Sequence, residues 1–207
     1  IVFKIIRHKN TKYAFLKNSL AVLKKTDALL EGHFILSSGL HSPIYIQCAK
    51  LLSYPNLSKK ICLSLSKKIK KYFKNIDLIL SPAMGGIIIG YEIGRLLNKE
   101  TIFAERVNGK FILRRGFKIK KKSRVLIVED VITTGKSSLE CVKLINKSQG
   151  KLLGFASIID RSNNKSLKIK GKKIVSQIKI NVPSYTKNNL PNSLRQVPIT
   201  TPGSRYI

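Results

Sequence analysis

The residues best suited to chemistry lie in one continuous segment, 128–137, which reads Val-Glu-Asp-Val-Ile-Thr-Thr-Gly-Lys-Ser. An apolar run leads into Glu129 and Asp130, and a loop of hydroxyls with Gly135 then precedes a helical pattern. Backbone N–H groups of residues 133–137 at a helix N-terminus can cradle a phosphate, and glycine lets the backbone approach a ligand closely. The segment therefore predicts an anion-binding loop directly after an acidic pair.

The two carboxylates need partners of their own, because acids at the end of a buried strand are costly when they have none. Glu129 and Asp130 would also repel a phosphate held a few residues later. They are suited to accept hydrogen bonds from vicinal hydroxyls, and a ribose 5-phosphate offers hydroxyls and phosphate at about this separation. The alternative is a capping arrangement, in which Thr or Ser is the helix N-cap after acidic residues.

Two glycine-containing segments are similar to nucleotide-binding motifs, but neither matches its motif. Gly135, Lys136 and Ser137 match the end of a P-loop, but the earlier glycine of that motif would be residue 130, which is Asp. Gly85, Gly86 and the following residues lack the spacing of the dinucleotide-binding fingerprint. The sequence thus argues against an ATPase, a GTPase or a dinucleotide enzyme.

Residues 81–86 are a second candidate anion site. Gly85 and Gly86 follow an apolar run and open a helical pattern, so their N–H groups can form a nest for an oxyanion. The alternative is that both glycines serve close packing of the helix on the strand.

These loops must be positioned by the elements around them. Short apolar strands are predicted at residues 77–80, 101–104, 124–128 and 152–159, and helices at about 86–97 and 137–149. Alternating strands and helices with continuous apolar strands predict a parallel sheet covered on both faces. Loops at the carboxyl ends of such strands face the ligand crevice.

The first third of the chain predicts different elements. A helix is expected from Asn18 to Leu30, ended by Gly32, and then a hairpin of residues 34–36 and 44–49. A further helix is expected to bury a face formed by Leu57, Ile61, Leu65, Ile69 and Tyr72. After Ile180 the chain turns polar and proline-containing, and this tail is expected to be ordered by docking on the rest.

Composition limits the function classes. The chain has 207 residues, which suits a single domain, and 40 Lys and Arg against 10 Asp and Glu give a net charge of +30. Basic runs occur at 67–71, 118–122 and 165–173. Because the last two lack interleaved aromatics, we interpret the lysines as solvated surface and expect no specific nucleic acid partner. Three scattered cysteines predict neither a disulfide framework nor a zinc site. The apolar N-terminus is too short for a membrane span, so we expect a cytoplasmic protein.

The acidic pair with its Thr-Thr-Gly loop resembles the signature of type I phosphoribosyltransferases. Three further segments resemble orotate phosphoribosyltransferases: residues 32–39 with Ser42 and Pro43, residues 81–86, and residues 104–106 running to 114–117. The Pro-Gly-Ser-Arg run at 202–205 is similar to one bacterial branch. The resemblance implies a Rossmann-like α/β fold in one domain, with a parallel sheet flanked by helices (about 56–180). It also implies a small N-terminal hood (about 15–55) completed by the tail 181–207.

The resemblance implies synthesis of orotidine monophosphate from orotate and phosphoribosyl pyrophosphate, with Mg²⁺ held through the substrate and no direct protein ligand. Glu129 and Asp130 would bind the ribose hydroxyls, with Asp130 also catalytic, and Thr133 and Arg161 would bind orotate. Lys110 would be the catalytic lysine of a mobile loop shared across a homodimer. The full set implied for phosphoribosyl pyrophosphate is Gly85, Arg106, Lys110, Glu129, Asp130, Val131, Ile132, Thr133, Thr134, Gly135, Lys136 and Ser137.

The chain departs from better-known relatives at three places. Ser37 and Gly85 stand where those relatives have lysine, and residues 110–113 read Lys-Phe-Ile-Leu in place of Lys-Asp-His-Gly. Arg114, Arg115 or Lys136 are candidates to compensate.

Two other functions stay open at this point. One is a phosphoribosyltransferase for another base, against which residues 32–43 and Arg161 argue. The other is a phosphoribosyl pyrophosphate-sensing regulator that binds nucleic acid, against which the lack of a helix-turn-helix or RNA-binding motif argues.

Overall fold

The computed structural model of the protein describes residues 19–36, 38–162 and 171–200. Of these residues, those from Leu52 to Val182 form one compact unit, and those up to Leu51 with those from Pro183 form another. The helices are α1 (residues 19–25), α2 (Cys48–Leu52), α3 (Pro55–Tyr72), α4 (Gly86–Leu97), α5 (Lys136–Lys147) and α6 (Asn192–Arg195). The strands are β1 (Leu29–Ile35), β2 (His41–Ile46), β3 (Leu78–Pro82), β4 (Glu100–Val107), β5 (Lys110–Leu113), β6 (Arg124–Ile132), β7 (Lys151–Asp160), β8 (Lys173–Lys179) and β9 (Ile199–Thr200). None of the described helices is both long and apolar enough to cross a membrane.

The larger unit is built on a six-stranded sheet with the order β5-β4-β3-β6-β7-β8. Neighbouring strands are parallel from β4 to β8, and only β5 is antiparallel to its neighbour β4. Helix α5 packs on one face, and α3 and α4 pack against strands of the same sheet. The predicted α/β fold with a mostly parallel sheet is therefore confirmed.

The core of this unit explains the continuous apolar strands. Alternate strand residues point to opposite faces, and both Ile79 and its neighbour Leu80 are fully buried. Apolar side chains are therefore required on both faces of the central strands. The α5-facing cluster contains Leu78, Leu80, Ile102, Ala104, Phe111, Ile119, Val125, Ile127, Ile132, Cys141, Ile145, Leu152 and Phe155.

The structure extends the predicted strands toward their carboxyl ends. β6 continues to Ile132, where Val131 pairs with Ile159 and Ile132 with Asp160. β3 likewise continues to Pro82, which pairs with Ala104. Both strands are longer than predicted because they pair with neighbouring strands. Such pairing cannot be predicted from the hydropathy of a single segment. Glu129 and Asp130 therefore lie within β6 and do not follow it.

The edge strand β8 was not predicted, because its lysines conceal a short apolar alternation. Lys68 of α3 donates hydrogen bonds of 3.0 Å to the carbonyl oxygens of both Ser176 and Gln177 in this strand. These bonds occupy backbone acceptors at the sheet edge, which otherwise invite pairing with another chain.

Helix α3 buries Ile61, Leu65 and Ile69 of the predicted face, whereas Leu57 is half-buried. Tyr72 is 48% exposed, so its assignment to the buried face is wrong. Its ring instead lies 3.8 Å from the Lys173 ammonium, a cation–π contact. The buried face consists of Ser58, Ile61, Cys62, Leu65, Ser66 and Ile69.

The smaller unit contains the predicted hairpin, β1 and β2, with β9 parallel to β1. The predicted helix end at Gly32 is wrong, since α1 ends at residue 25 and Gly32 lies in β1. Asp27 adopts a left-handed φ of 52°, after which Leu29 pairs with Ile46. Pairing with β2 thus overrides the helical spacing of the leucines.

Two buried histidines join this hairpin to the residues that follow Pro183. His33 Nε2 lies 2.7 Å from His41 Nδ1, and His33 Nδ1 lies 3.1 Å from the Val197 carbonyl oxygen. His41 and Tyr185 exchange two backbone hydrogen bonds of 2.8 and 2.9 Å. Within its described part, the C-terminal tail is thus held by the hairpin; the Pro-Gly-Ser-Arg run at 202–205 lies outside the described residues.

Gly154 in β7 provides a test of the packing between β7, β8 and α3. A Cβ atom at this position would lie 2.6 Å from Phe73 Cε1 and 2.7 Å from the Lys173 carbonyl oxygen. Because the carbonyl belongs to a paired strand, it cannot move aside easily. We expect Gly154→Ala to lower the free energy of unfolding by about 1–3 kcal/mol, measured by urea denaturation.

The matched control is Gly150→Ala. Its Cβ would meet side-chain methyl groups of Ile119 and Ile145 at 3.1 Å, and these can shift slightly. An equal loss of stability in both variants would contradict the proposed clash with the Lys173 backbone.

Candidate active site

The predicted anion-binding loop connects β6 to α5. Thr133 and Thr134 are exposed, and Gly135 is the N-cap residue with a left-handed φ of 72°. No side chain caps the helix as an N-cap residue, and the Lys136 N–H makes only a long contact of 3.4 Å with Thr134 Oγ1. The alternative of a Thr or Ser N-cap is therefore wrong. The first turn of α5 presents the backbone N–H groups and positive dipole end that suit an anion.

Glu129 is directed into the protein toward α5. Its side chain is buried, and the Ser138 hydroxyl donates a short hydrogen bond to Oε1. The pKa of this carboxyl is raised to about 7: burial is the main cause, the hydrogen bond from Ser138 opposes it, and the charge of Asp130 adds to it. Glu129 can therefore change protonation state near neutral pH.

Asp130 has different neighbours from Glu129, as expected for adjacent residues of a strand, which point to opposite faces. Burial is the main cause that raises the pKa of its carboxyl, and backbone N–H groups, including that of Val131, partly offset this. The carboxylate lies against Gly85, where a Cβ atom would be 2.7 Å from Asp130 Oδ2. The structure thus separates the two carboxylates, one toward α5 and one toward the start of α4.

The glycines at and after the start of α4 have different neighbours. A Cβ at Gly90 would lie 2.1 Å from Ser81 Oγ, and one at Gly86 would lie 3.2 Å from Pro82 Cδ. The alternative of close helix–strand packing therefore accounts for Gly86 and Gly90. Gly85 is exposed, and a Cβ there would meet the Asp130 carboxylate. The preceding Ala83–Met84 peptide bond is cis.

Arg161 lies beside the same loop edge. Its backbone N–H donates to the Ile132 carbonyl oxygen at 2.8 Å, which joins the end of β7 to the start of the Thr133 loop. Burial lowers the pKa of the Arg161 guanidinium, because a desolvated cation is less favourable. A planar, partly dehydrated guanidinium at a strand end is suited to a carboxylate ligand.

Arg106 and Lys110 belong to a β-hairpin, where a mobile loop was predicted. Val107 pairs with Lys110, and Asn108 and Gly109 form the two-residue turn with φ values of 48° and 78°. Positive φ at both positions is the type I′ geometry for which Asn-Gly is favoured. Asn and Gly thus form a tight turn here, and the mobility of this segment stays a prediction.

The Arg106 guanidinium already has partners in this hairpin and in α5. It forms two hydrogen bonds with Glu140, of 2.9 and 3.2 Å, and a short one with the Gly109 carbonyl oxygen. Its centre lies 4.1 Å from the centre of the Phe111 ring. Lys110 is exposed.

Four of the predicted site residues lie at one edge of the sheet. Loops after β3, β6 and β7 lie at one edge of the sheet, because these strands are adjacent and parallel, so Gly85, Asp130, Thr133 and Arg161 all belong to this edge. Ser37 lies outside the described residues.

The sequence analysis did not predict Ser138 and Glu140, since nothing in the sequence links a helix residue to a particular strand residue. Within the described ranges, no group of three or more His, Cys, Asp or Glu side chains is placed to hold a metal ion.

Comparison with known proteins agrees with this arrangement. The phosphoribosyl transferase domain family matches residues 49–187. The orotate phosphoribosyltransferase of Parvibaculum lavamentivorans is 46% identical over 189 residues, covering 91% of this chain and 96% of that protein. That of Caldicellulosiruptor saccharolyticus is 44% identical over 190 residues, covering 91% and 96%.

A solved structure is similar as well. The crystal structure of orotate phosphoribosyltransferase from Aeropyrum pernix superposes with a TM-score of 0.66 at 26% identity, covering 77% of this chain and 92% of that one. The sequence relatives span nearly the whole chain, and the structural relative has the same fold around the same kind of sheet. The chain therefore belongs to the phosphoribosyltransferase family and, within it, to the orotate phosphoribosyltransferases.

Proposed function

We propose that this protein transfers the ribose 5-phosphate group of phosphoribosyl pyrophosphate to orotate, giving orotidine 5′-monophosphate and pyrophosphate in pyrimidine biosynthesis. The observation that supports this most strongly is the 46% identity to an orotate phosphoribosyltransferase over 91% of the chain. The β6–α5 loop supports it independently, since it offers an uncapped helix start beside two carboxylates.

A steady-state assay tests the choice of base. Orotate should be a substrate, and adenine, hypoxanthine and uracil should not. Turnover of a purine would favour the alternative of a transferase for another base, and no turnover together with tight nucleic acid binding would favour a regulator.

The phosphoribosyl group would be held at both of its ends. The 5-phosphate would accept hydrogen bonds from the backbone of residues 133–137 and from the hydroxyls of Thr133, Thr134 and Ser137, with Lys136 adding positive charge. Glu129 and Asp130 at the end of β6 would accept hydrogen bonds from the ribose hydroxyls, with the backbone of Val131 and Ile132 positioned between them. Two fixed ends restrict the rotation of the sugar and favour one reactive orientation.

Orotate carries a carboxylate next to a flat ring, and Arg161 with Thr133 suits both. A guanidinium can bind a carboxylate through two parallel hydrogen bonds. The partly buried position of Arg161 strengthens such a pair, because electrostatic interactions increase as water is excluded.

The reaction itself would depend on charge rather than on proton transfer. As the bond from the ribose to pyrophosphate breaks, negative charge grows on the leaving group and positive charge on the ribose. Lys110 and Arg106 would stabilise the leaving group, with the Gly85 backbone beside it, and Asp130 would stabilise the sugar. Groups placed in advance where charge develops contribute much of the catalysis in such sites.

Phosphoribosyltransferases generally use Mg²⁺ bound to phosphoribosyl pyrophosphate, and the residues here fit that mode. Asp130 is a partly exposed carboxylate at the sheet edge, an oxygen donor of the kind Mg²⁺ prefers. Most ligands would be pyrophosphate and ribose oxygens of the substrate. The ion would neutralise charge on the departing pyrophosphate.

We further propose a cytoplasmic homodimer with shared active sites. Cys48, Cys62 and Cys141 are buried thiols, which are compatible with a reducing compartment. Lys110 is exposed at the end of a hairpin, from which it can reach beyond its own subunit.

The first prediction concerns Asp130. Asp130→Asn keeps the size of the side chain but loses a charge-assisted hydrogen bond worth about 1.5–3 kcal/mol. We expect kcat/KM for phosphoribosyl pyrophosphate to fall about 10- to 150-fold in a folded protein. Asp77→Asn is the control, because Asp77 pairs with Arg124 at the opposite end of these strands; unchanged kcat/KM in Asp130→Asn would remove this residue from the site.

The second prediction concerns the pH dependence contributed by Glu129. Its carboxyl has a pKa of about 7, so it is neutral below that pH and ionised above it. Because the ionised form accepts ribose hydroxyls better, kcat/KM should rise through pH 7 and then level off. Glu129→Gln should abolish this step; a wild-type profile in the variant would show that another group titrates.

The same pKa predicts a stability change of the ligand-free protein. A carboxyl whose pKa is raised on folding from 4.5 to about 7 favours the folded state at low pH, and this contribution is lost as the pH rises through 7. The melting temperature of Glu129→Gln relative to wild type should therefore increase from pH 6 to pH 8.

The third prediction concerns Lys110. Lys110→Ala should lower kcat strongly and barely change the binding of phosphoribosyl pyrophosphate, because the lysine acts on the leaving group in the transition state. If sites are shared, mixing Lys110→Ala with Asp130→Asn should recover activity, since hybrid dimers contain one intact site. No recovery, with subunit exchange confirmed by mass spectrometry, would show that Lys110 does not serve the partner.

A further inference from the structure

The proposed reaction does not use Asp160, a buried acid at the carboxyl edge of the sheet. Asp160 is the last residue of β7, its side chain is almost fully buried, and it directly precedes Arg161. Its Oδ1 accepts a hydrogen bond of 2.8 Å from the backbone N–H of Ser162, which is also buried. The carboxylate therefore binds the protein's own backbone, two residues further along the chain.

This hydrogen bond closes a ring around Arg161. A side-chain oxygen that accepts the N–H two residues later forms an Asx-turn, which mimics a backbone turn. The φ and ψ angles of Arg161 both belong to that ring, so neither rotates freely while the bond is made. The Arg161 N–H is held as well, by the Ile132 carbonyl oxygen at 2.8 Å. The direction in which the Arg161 side chain leaves the backbone is thus fixed.

Asp160 is itself anchored on both sides, so it can hold the turn in place. It pairs with Ile132 of β6 and with Lys179 of β8, and its carbonyl oxygen accepts the Ile180 N–H at 2.9 Å. The Lys179 ammonium lies 4.0 Å from Asp160 Oδ2 and is half-exposed, and exposed pairs of this kind contribute little. The Oδ1 bond to Ser162 is therefore the contact through which the carboxylate acts on the turn.

The Arg161 guanidinium, in contrast to its backbone, is available to a ligand. Every other arginine of the larger unit binds a carboxylate of the protein, namely Arg95, Arg106, Arg114, Arg115 and Arg124. Within the described ranges no carboxylate is bonded to Arg161. Burial lowers the pKa of its guanidinium, whereas an ion-paired carboxylate would raise it. Asp160 therefore acts on Arg161 through backbone geometry and not as a charge partner.

We propose that Asp160 is a positioning residue for Arg161. By accepting the Ser162 N–H, its carboxyl oxygen fixes the turn after β7 and aims the guanidinium at the carboxylate of orotate before orotate binds. This inference rests on the proposed binding of orotate by Arg161. A guanidinium makes two parallel hydrogen bonds to a carboxylate only when the two groups are aligned. A turn without the Asx bond should therefore weaken the use of orotate and leave that of phosphoribosyl pyrophosphate nearly unchanged.

The test compares Asp160→Ala with Asp160→Asn. Asp160→Ala removes the acceptor, and we expect kcat/KM for orotate to fall about tenfold, with KM for phosphoribosyl pyrophosphate within about twofold of wild type. Asp160→Asn keeps an acceptor oxygen at the same place, so its kcat/KM for orotate should stay within about twofold of wild type. A carboxylate that served only the stability of the fold would affect both substrates together.

Arg161→Ala and the double variant show whether the effect passes through Arg161. At saturating phosphoribosyl pyrophosphate, Arg161→Ala should lower kcat/KM for orotate more than Asp160→Ala does. Adding Asp160→Ala to Arg161→Ala should cause no further loss, because the residue that Asp160 positions is gone.

Asp77→Ala is the matched control. Asp77 Oδ2 also accepts a backbone N–H, that of Arg124, at 2.8 Å, but at the opposite end of the strands. Its kcat/KM for orotate should equal that of wild type. If Asp160→Ala does not fold, Asp160→Glu takes its place, because it keeps the charge and moves the acceptor by one methylene group.

The outcomes are distinguishable. A low kcat/KM for orotate in Arg161→Ala with a wild-type value in Asp160→Ala overturns the positioning role alone, as does an additive double variant. A loss in Asp160→Asn as large as that in Asp160→Ala also overturns it, because the charge and not the acceptor would then matter. An equal rise in KM for both substrates does the same. A wild-type kcat/KM for orotate in Arg161→Ala contradicts the proposed role of Arg161 itself.

Discussion

Strand β6 is hydrogen-bonded to β3 on one side and to β7 on the other, and the candidate site depends on this placement. A central parallel strand delivers its last residues to the carboxyl edge of the sheet, with the loops of both neighbours beside it. Pairing with β7 to Ile132 brings the start of the Thr133 loop next to Arg161. The contact of Asp130 with Gly85 follows from the β3 neighbour in the same way.

Glu129 differs from other acidic side chains of the protein in its surroundings. Several acidic side chains of this basic protein have a cationic partner, for example Asp77 with Arg124 and Glu105 with Arg115. Glu129 instead accepts a hydrogen bond from the neutral Ser138, and burial leaves its ionised form poorly stabilised. Such a carboxylate gains from a ligand that brings hydroxyl donors, so part of the cost of burying it can be recovered on binding.

The sequence predicted the parts of this structure that depend on local pattern. Hydropathy located β3, β6, β7, α4 and α5, and the order of acids, hydroxyls and Gly135 located the β6–α5 loop, the candidate anion site. Its error in the first third of the chain came from pairing between strands. Pairing with β2 ended α1 before Leu29, and the pairing of Val107 with Lys110 likewise formed a tight turn that the sequence had not predicted. The partners Ser138 and Glu140 follow from the docking of α5, which no spacing along the chain encodes.

The contact between Gly85 and the Asp130 carboxylate has an evolutionary consequence. A new Cβ would lie 2.7 Å from Asp130 Oδ2, so the carboxylate would have to move aside. The two positions are therefore coupled: the effect of any side chain acquired at position 85 depends on where the Asp130 carboxylate can go, and a substitution at one position changes which residues the other can accept.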